Sequence, residues 1–408
     1  MKYGKQSLAG GALLLLGGLA FIATTASATP TTPPPAAAAA IKPDVSLSHD
    51  AAPNLKLGAF LMYDWLWYKS AGALQDSTPH GGDYTDETGF RRVRVAAHGR
   101  LHDDVGYHVS LELADTLNKG SSAELSQAFI SYSGLDPVKL KFGQFFEPFS
   151  LEAMTSSRYI TFMERGLPYM FYPDRNLGVG IAAKPTDELY LEGGMFANNA
   201  DSSNKSKRSY TGRIAYAPWH DDGKVVHVGA SASYRVPENN SIRYSQDPEA
   251  AFAPNYFSAS VTDVEAIVLT GLEAAMVSGP YSLQAEYIRS DVSRLDAKQK
   301  RSFDGYYVYG SWFITGESRP YRNGRFTGIK PKHKFNIARG GWGAWELAAR
   351  ISQVKADNGR SLSDVTLGVN WYLNRDVRFM ANYVQADYER GATRGTADIF
   401  EVRGQVEF

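Results

Sequence analysis

The chain contains no cysteine, so an exported fold built from it must gain its stability without disulfides. Beyond residue 23 it has no apolar run that approaches the length of a spanning helix, which excludes a helical membrane bundle. It carries no net charge, with 43 basic residues against 43 acidic ones, so no global field draws in nucleic acid or an anionic surface. Any selectivity must come from where individual charges sit. None of the eight histidines falls in a catalytic triad or a metal-ligand spacing, and His98, His108 and His227 read as polar strand residues. No enzyme, metal or cofactor is indicated. A structural anchor would call for an envelope-binding domain, and none is visible.

What is present begins with a leader. Met1–Lys5 carries two lysines, an apolar run extends from Leu8 to Ala23, and Ala26-Ser27-Ala28 offers small residues for cleavage after Ala28. Residues 1–28 therefore read as a signal peptide. Residues 29–54, rich in proline and alanine and without periodicity, read as a disordered spacer. The remainder, 55–408, has no second linker and is rich in aromatics, with 24 Tyr, 20 Phe and 7 Trp in the whole chain.

This remainder is organised in two-residue periods. Phe400, Val402, Gly404, Val406 and Phe408 share one parity, while Glu401, Arg403, Gln405 and Glu407 share the other. Val365, Leu367, Val369 and Trp371 likewise oppose Thr366, Gly368, Asn370 and Tyr372. Such segments recur near 55–68, 89–101, 105–114, 124–133, 138–145, 177–184, 188–197, 209–217, 225–235, 263–277, 281–289, 303–315, 341–355, 363–373, 376–387 and 397–408, sixteen in all. An even number of amphipathic strands, with short Gly/Pro/Asp turns on one side and long loops on the other, predicts an all-β, 16-stranded antiparallel transmembrane barrel in the outer membrane of a Gram-negative bacterium. Outer-membrane lipid and lipopolysaccharide would surround it. The aromatic terminus Phe408 suits recognition by the outer-membrane assembly machinery.

The charge pattern then becomes informative. GFRRVRVAAHGRL, residues 89–101, places Arg92, Arg94, His98 and Arg100 on one face and Val93, Val95 and Leu101 on the other. A charge facing lipid near the midplane costs about 2–4 kcal/mol, so the arginines must face the bore. Arg91 has the opposite parity and is expected to reach toward headgroups. Lys139 and Lys141, Arg213 and Arg235 repeat the inward pattern on other strands. Guanidinium and ammonium groups on several walls suit small anionic solutes, because they replace lost water with directed hydrogen bonds. The alternative is that inward acids such as Glu112, Glu273, Glu286 and Glu346 neutralise them, leaving a general, weakly selective pore.

Several stretches resemble the phosphate-selective porin O and P family: FRRVRV (90–95), LKFGQFFEPFSLEAMTSSRYITFMERGLP (140–168), DRNLGVGI (174–181), GPYSLQAEY (279–287), FDGYYVYGSWFITGESRPY (303–321), GAWELAARIS (343–352) and LGVNWYLNRDVRFMANYVQAD (367–387). The resemblance implies a homotrimer in which the third extracellular loop folds inward to constrict each pore. Here that loop is 146–176, carrying Arg158, Arg165 and Arg175. It also implies an arginine ladder and a lysine cluster, with Arg91 and Arg92 at the paired-arginine position and Lys141 at the lysine position. The basic stretch 316–340, with Lys330, Lys332 and Lys334, is placed at the periplasmic mouth. One departure stands out, since the first strand offers an inward Asp64 where family members often carry an arginine. Phosphate, polyphosphate and other oxyanions all remain open as the solute.

Overall fold

The computed structural model describes residues 53–74, 85–197 and 206–408. The leader, its Ala28 cleavage site and nearly all of the spacer lie outside the described residues. The chain runs through β1 (Asn54–Gly72), β2 (Thr85–Arg100), β3 (Val105–Glu112), β4 (Glu124–Leu135), β5 (Val138–Phe146), β6 (Arg175–Ala183) and β7 (Leu189–Ala197). It continues through β8 (Ser206–Asp221), β9 (Lys224–Pro237), a hairpin of β10 (Ser241–Gln246) and β11 (Phe257–Thr262), β12 (Val264–Ser278), β13 (Tyr281–Arg294) and β14 (Arg301–Phe313). A two-residue hairpin pair, β15 (Tyr321–Arg322) and β16 (Arg325–Phe326), precedes β17 (Ala344–Ala356), β18 (Arg360–Tyr372), β19 (Val377–Arg390) and β20 (Thr393–Glu407).

Leaving out the two hairpins, these strands form one closed barrel of sixteen in which every strand pairs with its sequence neighbour. The last strand meets the first in antiparallel register, Phe60 opposite Glu407 and Asp64 opposite Arg403. Ala59 and Phe408 exchange backbone hydrogen bonds of 2.8 and 2.9 Å, so the terminal residue seals the seam. Closure leaves no unpaired edge, which backbone groups in hydrocarbon require. Among the described residues no helix is long and apolar enough to cross a membrane.

The alternation divides the walls as parity predicts. On β1, Phe60, Met62, Asp64, Leu66 and Tyr68 are buried while Leu57, Trp65 and Trp67 are exposed. On β18, Leu362, Asp364, Thr366 and Asn370 are buried while Val365, Leu367 and Val369 are exposed. Outward aromatics gather near both ends of the strands: Trp67 stacks on Phe400 at 5.8 Å toward one end, and Tyr281 on Trp312 at 6.2 Å toward the other. Amphipathic rings at these levels sit where hydrocarbon gives way to headgroups.

The connections alternate cleanly. Those on the side of the termini are short except for 314–343, which joins β14 to β17 and carries β15 and β16. Those on the opposite, extracellular side include 147–174 and the β10–β11 hairpin, the third and fifth loops in order.

Candidate functional site

The site begins with an irregularity in β2. Met62 faces Arg92 across the ladder, but the next residue of β1, Tyr63, faces Phe90, so Arg91 is an extra residue in a β-bulge. A bulge breaks strict alternation. Arg91 therefore points to the same side as Arg92, and its guanidinium binds Glu164 of the third loop through hydrogen bonds of 2.7 and 2.8 Å. This corrects the expectation that Arg91 reaches toward headgroups.

The third loop rests on inward side chains of the wall through its backbone. Glu286 accepts the amides of Leu151 and Glu152 at 3.0 and 2.7 Å, Asn370 donates to Thr161 O at 2.8 Å, and Arg378 donates to Ile160 O at 2.9 Å. Within the loop, Arg165 donates to Glu152 O at 3.1 Å and Thr155 O at 2.8 Å and lies 4.7 Å from the Tyr169 ring centroid. It is buried, and its hydrogen bonds go to carbonyl oxygens instead of to a carboxylate.

Below the loop lies a cavity of about 340 Å³ lined by Arg92, Arg94, Arg158, Arg165, Arg175 and Arg325, together with His98 and His108. No aspartate or glutamate belongs to its lining. Acids stand behind some of the arginines: Glu112 is 2.9 Å from Arg94 and 4.0 Å from Arg92, and Glu407 is 2.9 Å from Arg158. Aromatic faces hold the planar groups open, with Arg94 and Arg158 lying 5.4 and 5.2 Å from the Phe60 ring and Arg175 lying 4.2 Å from Phe146. Guanidiniums held this way present remaining N–H donors to an oxyanion without having to reorganise.

Arg165 also lines a second cavity of about 290 Å³ on the other side of the loop, with Arg91, Glu164, Asp174, Asp247 and Glu249. Here the acids outnumber the bases. Burial opposes ionisation of Glu164, but Arg91 and Arg403 outweigh it and hold the carboxyl well below the ordinary range. Asp247 behaves oppositely, pushed up to about 7 by burial and by the nearby Glu164 charge.

The other predicted cations are placed differently. Arg213 is bidentate with Glu273, and Arg235 bonds Glu147 of the third loop at 2.8 Å, so both face inward yet are engaged by acids outside the first cavity. Lys141 lies 3.8 Å from Glu192, and Lys139 and Arg100 are exposed toward the periplasmic ends of their strands. Lys330, Lys332 and Lys334 are exposed in the periplasmic 314–343 connection. Asp64 grips Arg403 through two bonds of 2.6 Å. Among the described residues no cluster of three or more His, Asp or Glu side chains is arranged to hold a metal ion.

Two residues of this constellation were visible in sequence only as members of a basic loop. Arg325 reaches the first cavity from the periplasmic connection, bonded to Glu192 at 3.1 Å, and Phe326 beside it packs with Leu151 of the third loop. The stretch has no alternation, so nothing local announces that it enters the barrel.

A closed, even-stranded barrel with a lipid-compatible exterior and a charged, cavity-bearing interior defines an outer-membrane porin. The chain belongs to the phosphate-selective porin O and P family, which matches it over residues 74–408. It is similar to Porin O of Pseudomonas aeruginosa, 29% identical over 374 residues that span 79% of this chain and 83% of that protein. In fold it is similar to an anion-selective porin from Comamonas acidovorans (TM-score 0.58, 12% identity, covering 87% of this chain and 100% of that one). It is also similar to OmpT of Vibrio cholerae in its trimer form (TM-score 0.53, 12% identity, covering 88% of this chain and 100% of that one). The chain is thus a multi-pass β-barrel channel of the outer membrane, and not an enzyme.

Proposed function

We propose that the barrel gives passive, anion-preferring passage to small oxyanions, with the third loop narrowing the bore and the arginine-lined cavity beneath it as the selective zone. The observation that carries this reading is that six arginines and no carboxylate line that cavity. A dianion entering it exchanges its hydration shell for charge-assisted hydrogen bonds, whereas a cation finds donors and like charge. Arg92, Arg94, Arg158, Arg165, Arg175 and Arg325 form the selective set. Lys139, Lys141, Arg100, Lys330, Lys332 and Lys334 supply positive potential toward the periplasmic exit. Arg213 and Arg235 hold walls and loop in place. The family relationship and the trimeric OmpT fold support a homotrimer. Cleavage after Ala28, lipopolysaccharide at the outer rim and assembly through Phe408 complete the reading.

Planar-bilayer recording across a KCl gradient tests it. The reversal potential should have the sign of chloride selectivity, phosphate should block chloride current, and Arg92→Ala combined with Arg94→Ala should weaken both effects. A cation-directed reversal potential would replace the anion reading with a general pore.

A further inference from the structure

Glu164 is the one third-loop carboxylate held against the Arg91/Arg92 pair. Its two oxygens take two hydrogen bonds from Arg91, at 2.7 and 2.8 Å, and one from Arg403 at 2.8 Å. That is the fork-to-carboxylate geometry by which arginine holds an oxyanion. The bulge at Arg91 splits the pair between the two cavities, Arg91 lining the upper one and Arg92 the lower, with Arg165 in the lining of both. An anion descending from the extracellular side meets Arg91 first.

Anchoring the loop does not require the Glu164 carboxylate. The backbone at this point is held independently: Arg403 donates to Met163 O, and Arg350 donates to Glu164 O at 3.0 Å. Nor does Arg403 depend on it, since Asp64 engages that guanidinium bidentately. Only Arg91 has its sole side-chain carboxylate partner among the described residues in Glu164.

We infer that Glu164 is a built-in competitor for the conducted anion, occupying Arg91 until an entering oxyanion displaces it and so limiting how tightly the upper step binds. The inference rests on the anion-conducting reading above and identifies Glu164 as a specificity-determining residue of that same pathway. Weak binding at each step is what lets a channel release its ion, so an internal ligand favours throughput over capture.

The test uses the full-length channel and the isosteric variant Glu164→Gln. Chloride selectivity should rise, and half-block by inorganic phosphate should need a roughly tenfold lower concentration, the equivalent of one charge-assisted contact. In an Arg91→Ala background the same substitution should shift both quantities far less, because the group it releases is gone and only the loss of one carboxylate charge remains. If the wild-type channel selects anions while Glu164→Gln leaves selectivity and block unchanged or weaker, the inference is overturned and the anion reading survives. Equal gains in cation and anion current would mark Glu164 as a loop anchor and overturn the inference too. A wild-type channel that selects cations would remove both.

Discussion

Arg213 and Glu273 meet through hydrogen bonds of 2.8 and 2.7 Å with both side chains withdrawn from solvent. His227 Nε2 donates to the same carboxylate at 3.1 Å, and Arg213 also donates to Gly324 O at 2.8 Å, which ties the periplasmic connection to the wall. The pair is therefore a fastening, not a station for solute. Removing one partner from a buried pair strands the other charge at a cost of about 3–5 kcal/mol, whereas replacing both with apolar groups of similar volume is often nearly neutral. Arg213→Met alone should sharply lower the urea midpoint of the folded barrel. Arg213→Met with Glu273→Met should recover most of it, and the reversal potential of the double variant should match that of the wild type.

The third loop depends on a different contact. Glu286 receives the Leu151 and Glu152 amides and the Tyr307 hydroxyl, the last at 2.5 Å, at the start of the short helix Leu151–Met154. A carboxylate there satisfies helix-terminal N–H groups that have no partner within the helix. Glu286→Ala should leave those amides unpaired, at about 1–3 kcal/mol for the lost group, and release the loop from β13. Single-channel conductance should increase for both ions while selectivity falls. Unchanged conductance would show that the remaining backbone contacts suffice to hold the loop.

Parity made the barrel legible because the bilayer enforces it: one wrong-facing charge costs more than any local preference can offset. The strand count, the closure of the last strand on the first and the inward placement of Arg92, Arg94, Arg213, Arg235 and Asp64 all follow from that constraint. Parity cannot report what an inward arginine meets across the bore. Arg213 and Arg94 look alike on their strands, yet Glu273, sixty residues along the chain, takes the first out of the cavity while the second still lines it. The bulge at Arg91 depends on the ladder with β1 and leaves no trace in β2 alone. Arg325 was beyond reach for another reason, since a segment folded into the bore meets polar surroundings and needs no periodicity.

Proton concentration should act at the upper cavity. Asp247, at the tip of the β10–β11 hairpin, is pushed up to about 7 by burial first and by Glu164 second, with Arg91 offsetting only part. Its carboxyl is neutral in mildly acidic medium and acquires its charge as pH rises through neutrality. The other acids of that cavity have partners, Glu164 in Arg91, Glu249 in Arg350 and Asp174 in Arg175. Asp247 is thus the acid whose ionisation changes the local balance near neutral pH, and an added negative charge there repels an incoming anion. Chloride selectivity should decline between mildly acidic and mildly alkaline buffer. Asp247→Asn tests this directly: it should hold selectivity near its acidic value at alkaline pH. An unaltered pH profile in that variant would remove Asp247 from the response.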